Sequence, residues 1–231
     1  MNEISIIIPV FNEAENIESL MKEIQQVLEK KINYEIIIVN DCSVDNTLKL
    51  LSKINIVNIK VINHNKNLGQ SKSILTGIKN SNYDTIVTID GDSQNNPKDI
   101  IKLHDIYFSQ NIYSLVGGLR IKRKDSIIKI LSSKIANSIR QFFLDDNCKD
   151  TGCSLKIFNK KIFLSLPYFD GIHRFLPALY KGYGHKTFFI DVDHRARIKG
   201  QSKYGTIDRL IKGVYDLFRV KKILKDIKKN D

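Results

Sequence analysis

Two carboxylates one residue apart, Asp90 and Asp92, close the apolar β-branched run Thr85-Ile86-Val87-Thr88-Ile89. Val, Ile and Thr favour a strand, so the segment reads as a buried strand delivering two acids to its carboxyl end. Gly91 between them is expected to let the backbone bend, so that both carboxylates converge on one hard cation through oxygen ligands. Such a cation could hold a diphosphate. The same three residues also suit a solvated turn after a strand. An EF-hand is excluded, because loop positions six and twelve, counted from Asp90, are Asn95 and Ile101 where that loop needs Gly and Glu.

Those acids need a scaffold, and strand-like and helix-like segments alternate around them. Ser5–Val10, Glu35–Asn40, Ile59–Ile62 and Thr85–Asp90 read as strands. Their near-continuous apolar character predicts burial on both faces, as in a parallel sheet. Helical patterns lie between: Glu15–Lys30, Asp45–Lys53, Gln70–Asn80 and, after Pro97, Lys98–Phe108. The series is βαβ, an α/β fold. Ligands in such sheets bind beyond the carboxyl ends of strands. Polar residues collect there: Asn12 and Glu13 after the first strand, Asn40-Asp41 after the second, Asp90-Gly91-Asp92 after the fourth. Asn12 and Glu13 would equally serve a helix N-terminus. Neither Gly-x-Gly-x-x-Gly after the first strand nor a P-loop motif occurs, so a dinucleotide fold and a P-loop are unsupported.

The 231 residues, 42% hydrophobic, suffice for one large domain or one domain with an elaborated C-terminal part. Three cysteines without Cys-x-x-Cys spacing point away from zinc and towards a reducing cytoplasm. Met1 leads straight into a strand without a basic stretch, and no apolar run reaches ~18 residues; neither a signal peptide nor a membrane span is expected. The net charge of +12 is uneven: residues 120–140 carry +6, residues 195–231 carry +8, and the remainder is at −2. Aromatics do not interleave with the basic residues in a stacking pattern, so nucleic acid is not the expected partner. Anionic lipid or a substrate phosphate accounts for the same charge.

Six collinear segments carry a resemblance: IIIPVFNE (6–13), VNDCSVDNT (39–47), TIDGDSQNNP (88–97), DTGCSLKIF (150–158), HRFLPAL (173–179) and HRARIKGQSKYG (194–205). Together they resemble the family 2 glycosyltransferases, in particular the branch of dolichyl-phosphate mannose synthase and the bacterial polyprenyl-phosphate glycosyltransferases. The resemblance implies a GT-A fold with a mostly parallel sheet flanked by helices, over residues 1–205, followed by a basic amphipathic helix over 206–231. It also implies a UDP- or GDP-linked sugar donor, Mg²⁺ or Mn²⁺, and an undecaprenyl or dolichyl phosphate acceptor. The enzyme would then work on the cytoplasmic face of a membrane, against an anionic surface or a membrane partner.

Carried over residue by residue, the resemblance sets Pro9, Asn12 and Glu13 against the nucleoside and Asp41 against the base. It gives Asp90, Asp92 and Gln94 the metal and, through it, the diphosphate. Arg120, following another strand, and Lys134 would bind the acceptor phosphate; Lys134 stands where Arg is usual, keeping charge and losing bidentate geometry. Arg197, Ser202 and Lys203 match a late loop that closes over both phosphate groups. Asp92, Arg120, Arg197 and Asp150 form the implied catalytic set, Asp150 by positioning or, alternatively, as a base. His173 and Arg174 are expected near the sugar, with packing or capping as the alternative for His173. Phe11 stands where Tyr is usual, and Cys42 where Gly is common, so the backbone at Cys42 is expected not to need a positive φ. A phosphate monoester, with a second pKa near ~6, arrives as an oxyanion and needs no general base. The expected chemistry is one in-line displacement with inversion.

Membrane contact would have to come without a span. Ile127, Ile128, Leu131, Ile135, Ile139, Phe142 and Phe143 recur at helical spacing, as do Ile207, Leu210, Ile211, Val214, Leu217, Phe218 and Leu224. Either stripe could pack on the core. The second is backed by Arg209, Lys212, Lys222, Lys225 and Lys229, which suits an anionic leaflet. Two other readings remain: a family 2 transferase acting on a sugar hydroxyl in cell-surface polysaccharide assembly, and a basic binding module whose Asp-Gly-Asp is only a turn.

Overall fold

The computed structural model describes residues 2–54, 56–110, 113–121, 137–196 and 206–230, with the side chains of 212–227 in the last helix. In chain order the elements are β1 (Ile4–Val10), α1 (Ile17–Leu28), β2 (Tyr34–Asn40), α2 (Thr47–Leu51), β3 (Ile59–Asn63), α3 (Gln70–Lys79), β4 (Thr85–Thr88), α4 (Lys98–Ser109) and β5 (Leu115–Ile121). Helical residues 137–144 (α5) follow. Next come β6 (Lys156–Asn159), α6 (Lys160–Ser165), a 3-10 turn (Ile172–Arg174), α7 (Leu176–Gly182), β7 (Thr187–Asp193) and α8 (Thr206–Asn230).

Among the described residues the strands form one sheet in the order β3-β2-β1-β4-β6-β5-β7. β3, β2, β1 and β4 run parallel, β6 is antiparallel to both its neighbours, and β5 and β7 are parallel to each other. The apolar runs of β1, β2 and β4 explain their central place, because alternate side chains serve two separate layers. Ile6, Ile8, Ile36, Ile38 and Val87 meet α1 and α4 on one face. Ile7, Ile37, Val39 and Ile86 meet α3, α6, α7 and α8 on the other. β3 departs from the expected burial on both faces: as an edge strand it is only half-buried, with Lys60 and Asn63 exposed.

The strand carrying the acids is shorter than its sequence predicts. β4 ends at Thr88, and Asp90 lies two residues beyond, where the chain has left the sheet. β1 accommodates this departure. Ile7 O accepts from Ile89 N at 3.2 Å, so Pro9, of the same parity, turns its missing N–H towards the side that β4 has vacated. A ladder bond is not lost.

α8 is docked on the domain. Leu217 and Val220 are buried in the second layer, with Ile223 and Leu224 against it. Its apolar stripe is thus divided, since Val214 and Phe218 stay exposed; the side chains of Ile207, Leu210 and Ile211 lie outside the described residues.

Candidate active site

The carboxyl ends of β1, β2, β3, β4 and β5 converge on one side of the sheet. The loops after β1 and β2 are laced together. Asn12 donates its N–H to Ser43 Oγ at 2.9 Å and accepts from Val44 N at 2.8 Å through Oδ1. Glu13 N donates to Thr47 Oγ1 at 2.8 Å, and Glu13 Oε2 accepts from Asn16 Nδ2 at 2.8 Å. Asn12 therefore joins two loops, and its φ of 53° is one that Asn tolerates. Pro9 sits inside β1, beneath Gly91.

Asp41 clamps a third loop. Its Oδ1 accepts from His64 Nδ1 at 2.7 Å and Leu68 N at 2.9 Å, and its Oδ2 from Gly69 N at 2.8 Å. His64 is in turn 3.0 Å from Thr76 Oγ1 through Nε2. The next residue, Cys42, has φ 62°, which overturns the expectation that a side chain there signals ordinary backbone. The Asp41 clamp holds the chain on one side of it and the 3.2 Å Ser43 N to Asn40 Oδ1 bond on the other. Together they fix a left-handed turn that the side chain only tolerates.

Asp90 and Asp92 lie near enough for the charge of Asp92 to act on Asp90. Gly91 is required for a different reason from the one expected: its φ is not positive. A Cβ at Gly91 would lie 2.7 Å from Val10 Cγ1. The left-handed residue is Ser93, at φ 59°. Gln70 Nε2 donates to Asp90 Oδ1 at 2.8 Å. Burial and the neighbouring Asp92 carboxylate push Asp90 up to about 6, against the Ser154 hydroxyl and the charges of Lys156 and Arg120. Lys156 is itself buried and donates to the Cys153 carbonyl. Gln94 N donates to Asp92 Oδ1 at 3.2 Å, while its side-chain amide reaches the Arg195 carbonyl at 3.3 Å. A carboxylate whose ionisation a neighbouring carboxylate penalises, the two offering oxygen alone, fits a hard divalent cation. Among the described residues no group of three His, Cys, Asp or Glu converges, so the pair would leave positions on such a cation for Gln94 Oε1, diphosphate oxygens and water.

Arg120 lies within β5, not after a strand as expected. Its Nε and Nη2 donate to Oδ2 and Oδ1 of Asp150 at 2.7 and 2.8 Å. Gly152 leaves room for this fork, since a Cβ there would be 2.7 Å from Nη2. Thr151 Oγ1 bonds Asn137 Oδ1 at 3.3 Å, tying α5 to the same corner. Lys134, Arg197, Ser202 and Lys203 lie outside the described residues, as do Ile127, Ile128, Leu131 and Ile135.

His173 Nδ1 is hydrogen-bonded to Ser71 Oγ at 2.7 Å, one residue along α3 from Gln70, the partner of Asp90. Arg174 turns the other way, 3.4 Å from Asp216 of α8. Sequence reasoning missed Gln70, Ser71, His64 and the Arg195–Glu23 pair, whose two contacts of 2.8 and 2.6 Å anchor the chain just before residue 197. A signal for His64 was present: the end of β3 opens into Asn63-His64-Asn65-Lys66-Asn67, as polar as the other strand ends.

A family model described as Glycosyl transferase family 2 matches residues 5–166. The chain is a family 2 glycosyltransferase. This glycosyltransferase is 31% identical over 221 residues to undecaprenyl-phosphate 4-deoxy-4-formamido-L-arabinose transferase of Proteus mirabilis (strain HI4320), covering 94% of this chain and 67% of that protein. The Yersinia pestis (strain Pestoides F) protein of the same name is 32% identical over 224 residues, with the same coverage. Among solved structures, glucosyl-3-phosphoglycerate synthase from Mycobacterium tuberculosis in complex with Mn²⁺, UDP and glucosyl-3-phosphoglycerate superposes with a TM-score of 0.69 at 15% identity, over 94% of this chain and 78% of that one. Its complex with Mg²⁺ and UDP gives 0.68. The glycosyltransferase has the GT-A fold. Among its described residues no helix is long and apolar enough to cross a membrane.

Proposed function

We propose that this family 2 glycosyltransferase moves a sugar from a UDP- or GDP-linked donor to a polyprenyl phosphate, undecaprenyl or dolichyl, with inversion at the anomeric carbon and with Mg²⁺ or Mn²⁺. The observation that carries the reading is the fixed guanidinium of Arg120, held by Asp150 close enough to Asp90 for its charge to favour that carboxylate. An anion-binding arginine beside a diphosphate-binding pair is what a phosphate nucleophile needs: its charge must be offset as it approaches a donor that is itself anionic. The names of the relatives, transferases of a sugar to undecaprenyl phosphate, support the same acceptor class.

A cation held by Asp90 and Asp92 would neutralise charge on the departing nucleotide diphosphate. The chain's own residues do the rest. Asn12, Glu13 and Asp41 order the loops around the nucleoside, with Pro9 beneath. Gln94 links the acids to the chain that leads to Arg197, Ser202 and Lys203, and His173 stands at the sugar side. Arg120, with Lys134 and Arg197, orients the acceptor phosphate. Asp150, with both oxygens on Arg120, acts as its orienting partner, and the phosphate oxyanion attacks without a base. Residues 1–205 form the catalytic part, with α8 as a membrane-facing element on the cytoplasmic side.

The test offers undecaprenyl phosphate and a panel of labelled UDP- and GDP-sugars with Mg²⁺ or Mn²⁺. Lipid-linked product that EDTA and Asp92→Ala abolish is expected. Transfer only to free oligosaccharide hydroxyls would overturn the acceptor assignment.

A further inference from the structure

The 3-10 turn that carries His173 is held from two sides. On one side stands the first turn of α3. Ser71 Oγ accepts from Gly171 N at 2.8 Å and is 2.7 Å from His173 Nδ1, and the preceding residue, Gln70, donates to Asp90. On the other side stands α8. Lys212 pairs with Asp170, Asp216 lies 3.4 Å from Arg174, and the guanidinium of Arg219 lies over the Phe169 ring at 5.4 Å. Lys212, Asp216 and Arg219 follow one another at spacings of four and three, so they form one stripe of the helix. That stripe grips the chain from Phe169 to Arg174.

Asp216 is the centre of the grip. It is 1% exposed, and burying a carboxylate is costly unless cations meet it. Burial pushes its carboxyl up, and the charges of Arg174, Arg219 and Lys212 oppose that shift. Gly171 makes the close approach possible. Its φ is 109°, and a Cβ there would lie 2.5 Å from Asp216 Oδ2. The backbone at Gly171 therefore lies against the Asp216 carboxylate and donates to the Ser71 hydroxyl at once. Attachment of α8 does not call for the acid. Leu217 and Val220 already bury the helix in the second layer, and an apolar side chain of similar size would serve there without the cost of desolvating a charge.

We infer that Asp216 is a positioning residue for the transfer reaction: from α8 it fixes the turn at residues 171–174 against Ser71 and so sets the direction of His173. This rests on the reading of His173 as a sugar-side residue and goes beyond it, because the last helix enters the catalytic unit, which then extends past residue 205.

The test uses the full chain, with a short, water-soluble isoprenyl phosphate as acceptor, so that membrane contact plays no part. Asp216→Ala is expected to lower kcat roughly tenfold to a hundredfold. Binding of Mn²⁺ with UDP or GDP should stay unchanged, because the loops after β1 and β2 are tied through Ser43, Thr47 and Asp41. Asp216→Asn, which keeps the shape and an accepting oxygen, should restore most of the rate. Ser71→Ala cuts the same link from the α3 side and should reproduce the kcat loss with α8 still docked. His173→Gln and Asp216→Ala/His173→Gln should be equally slow, since the acid acts through the histidine. In NMR spectra the imidazole signal of His173, identified by its absence in His173→Gln, should move in Asp216→Ala and keep its native place in Asp216→Asn. An unmoved signal in Asp216→Ala overturns the assignment, as do losses that multiply in the double variant, a native rate in Ser71→Ala, or nucleotide binding that falls in step with kcat. A signal that moves while His173→Gln transfers at the native rate would keep the coupling of α8 to the turn and remove the sugar-side reading of the histidine.

Discussion

Asp150 grips Arg120 from two sides: Oδ2 accepts from Nε at 2.7 Å and from the Arg120 backbone N–H at 3.3 Å, while Oδ1 accepts from Nη2 at 2.8 Å. Both side chains are largely buried, at 14% and 10% exposure. A planar guanidinium so gripped presents a fixed direction to an incoming anion, which a lysine ammonium could not.

Asp150→Asn should therefore act through Arg120. Loss of the fork is expected to lower kcat/KM for the phosphate acceptor about a hundredfold, with the shape of the pH–rate profile unchanged because no proton passes through Asp150. Arg120→Lys should cost a similar factor, and the double variant little more, since the two residues act as a unit. Steady-state kinetics with varied acceptor reads all three. An acid limb that vanishes in Asp150→Asn would restore the base role.

The acids predict a pH dependence of definite sign. Asp90, ordinarily near 3.8, is pushed up to about 6 by burial and by Asp92. A proton then competes with the cation below about pH 6, so apparent Mn²⁺ affinity should fall by up to about tenfold per pH unit there and level off above. Without metal the folded chain holds that proton more tightly than the unfolded chain does. Asp90's contribution to stability is then complete below about pH 3.8 and is lost as the pH rises through about 6. Added Mn²⁺ with UDP or GDP should raise Tm more at neutral pH than at about pH 5. In Asp90→Asn that pH dependence should disappear; a shift independent of pH in the native chain would place the cation elsewhere.

Gly91→Ala tests the close approach under the acids. The added methyl would lie 2.7 Å from Val10 Cγ1 and 3.4 Å from the Pro9 carbonyl oxygen. Overpacking of this kind costs about 1–3 kcal/mol. Denaturant titration should record that loss, and Val10→Ala in the same chain should recover much of it. Failure of the second change to recover stability would locate the strain in the backbone.

The legible parts of this protein were those fixed by local pattern. β1, β2 and β4 are β-branched runs buried on both faces, so their existence, their parallel order and the acids beyond β4 could be read from the sequence. β6 could not: it is four residues long, antiparallel, and starts with the buried Lys156, whose place depends on strands distant in sequence. Arg120 was recognised as a candidate, but its anchor Asp150 comes thirty residues later, a pairing that spacing does not encode. Gln70 and His173 meet the site through tertiary packing of α3 against the 3-10 turn. Gly91 was identified correctly as necessary and for the wrong reason, since a glycine code does not distinguish a bend from a close approach.

Cys42 carries the reverse error into a prediction. A cysteine at φ 62° occupies the left-handed region at a cost of about 1–2 kcal/mol, with its Sγ 3.7 Å from the Asn65 carbonyl as the contact retained. Cys42→Gly removes that cost and adds unfolded-chain entropy of about 0.4–1 kcal/mol, so a net gain of about 0.5–1 kcal/mol is expected. Cys42→Val, β-branched, should lose at least about 1 kcal/mol. Urea midpoints at unchanged m-value measure both. Because Asp41 is clamped through its own side chain, nucleotide binding by Cys42→Gly should match the native chain. A glycine variant less stable than the native one would mean that the thiol contact, and not the Asp41 clamp, holds this turn.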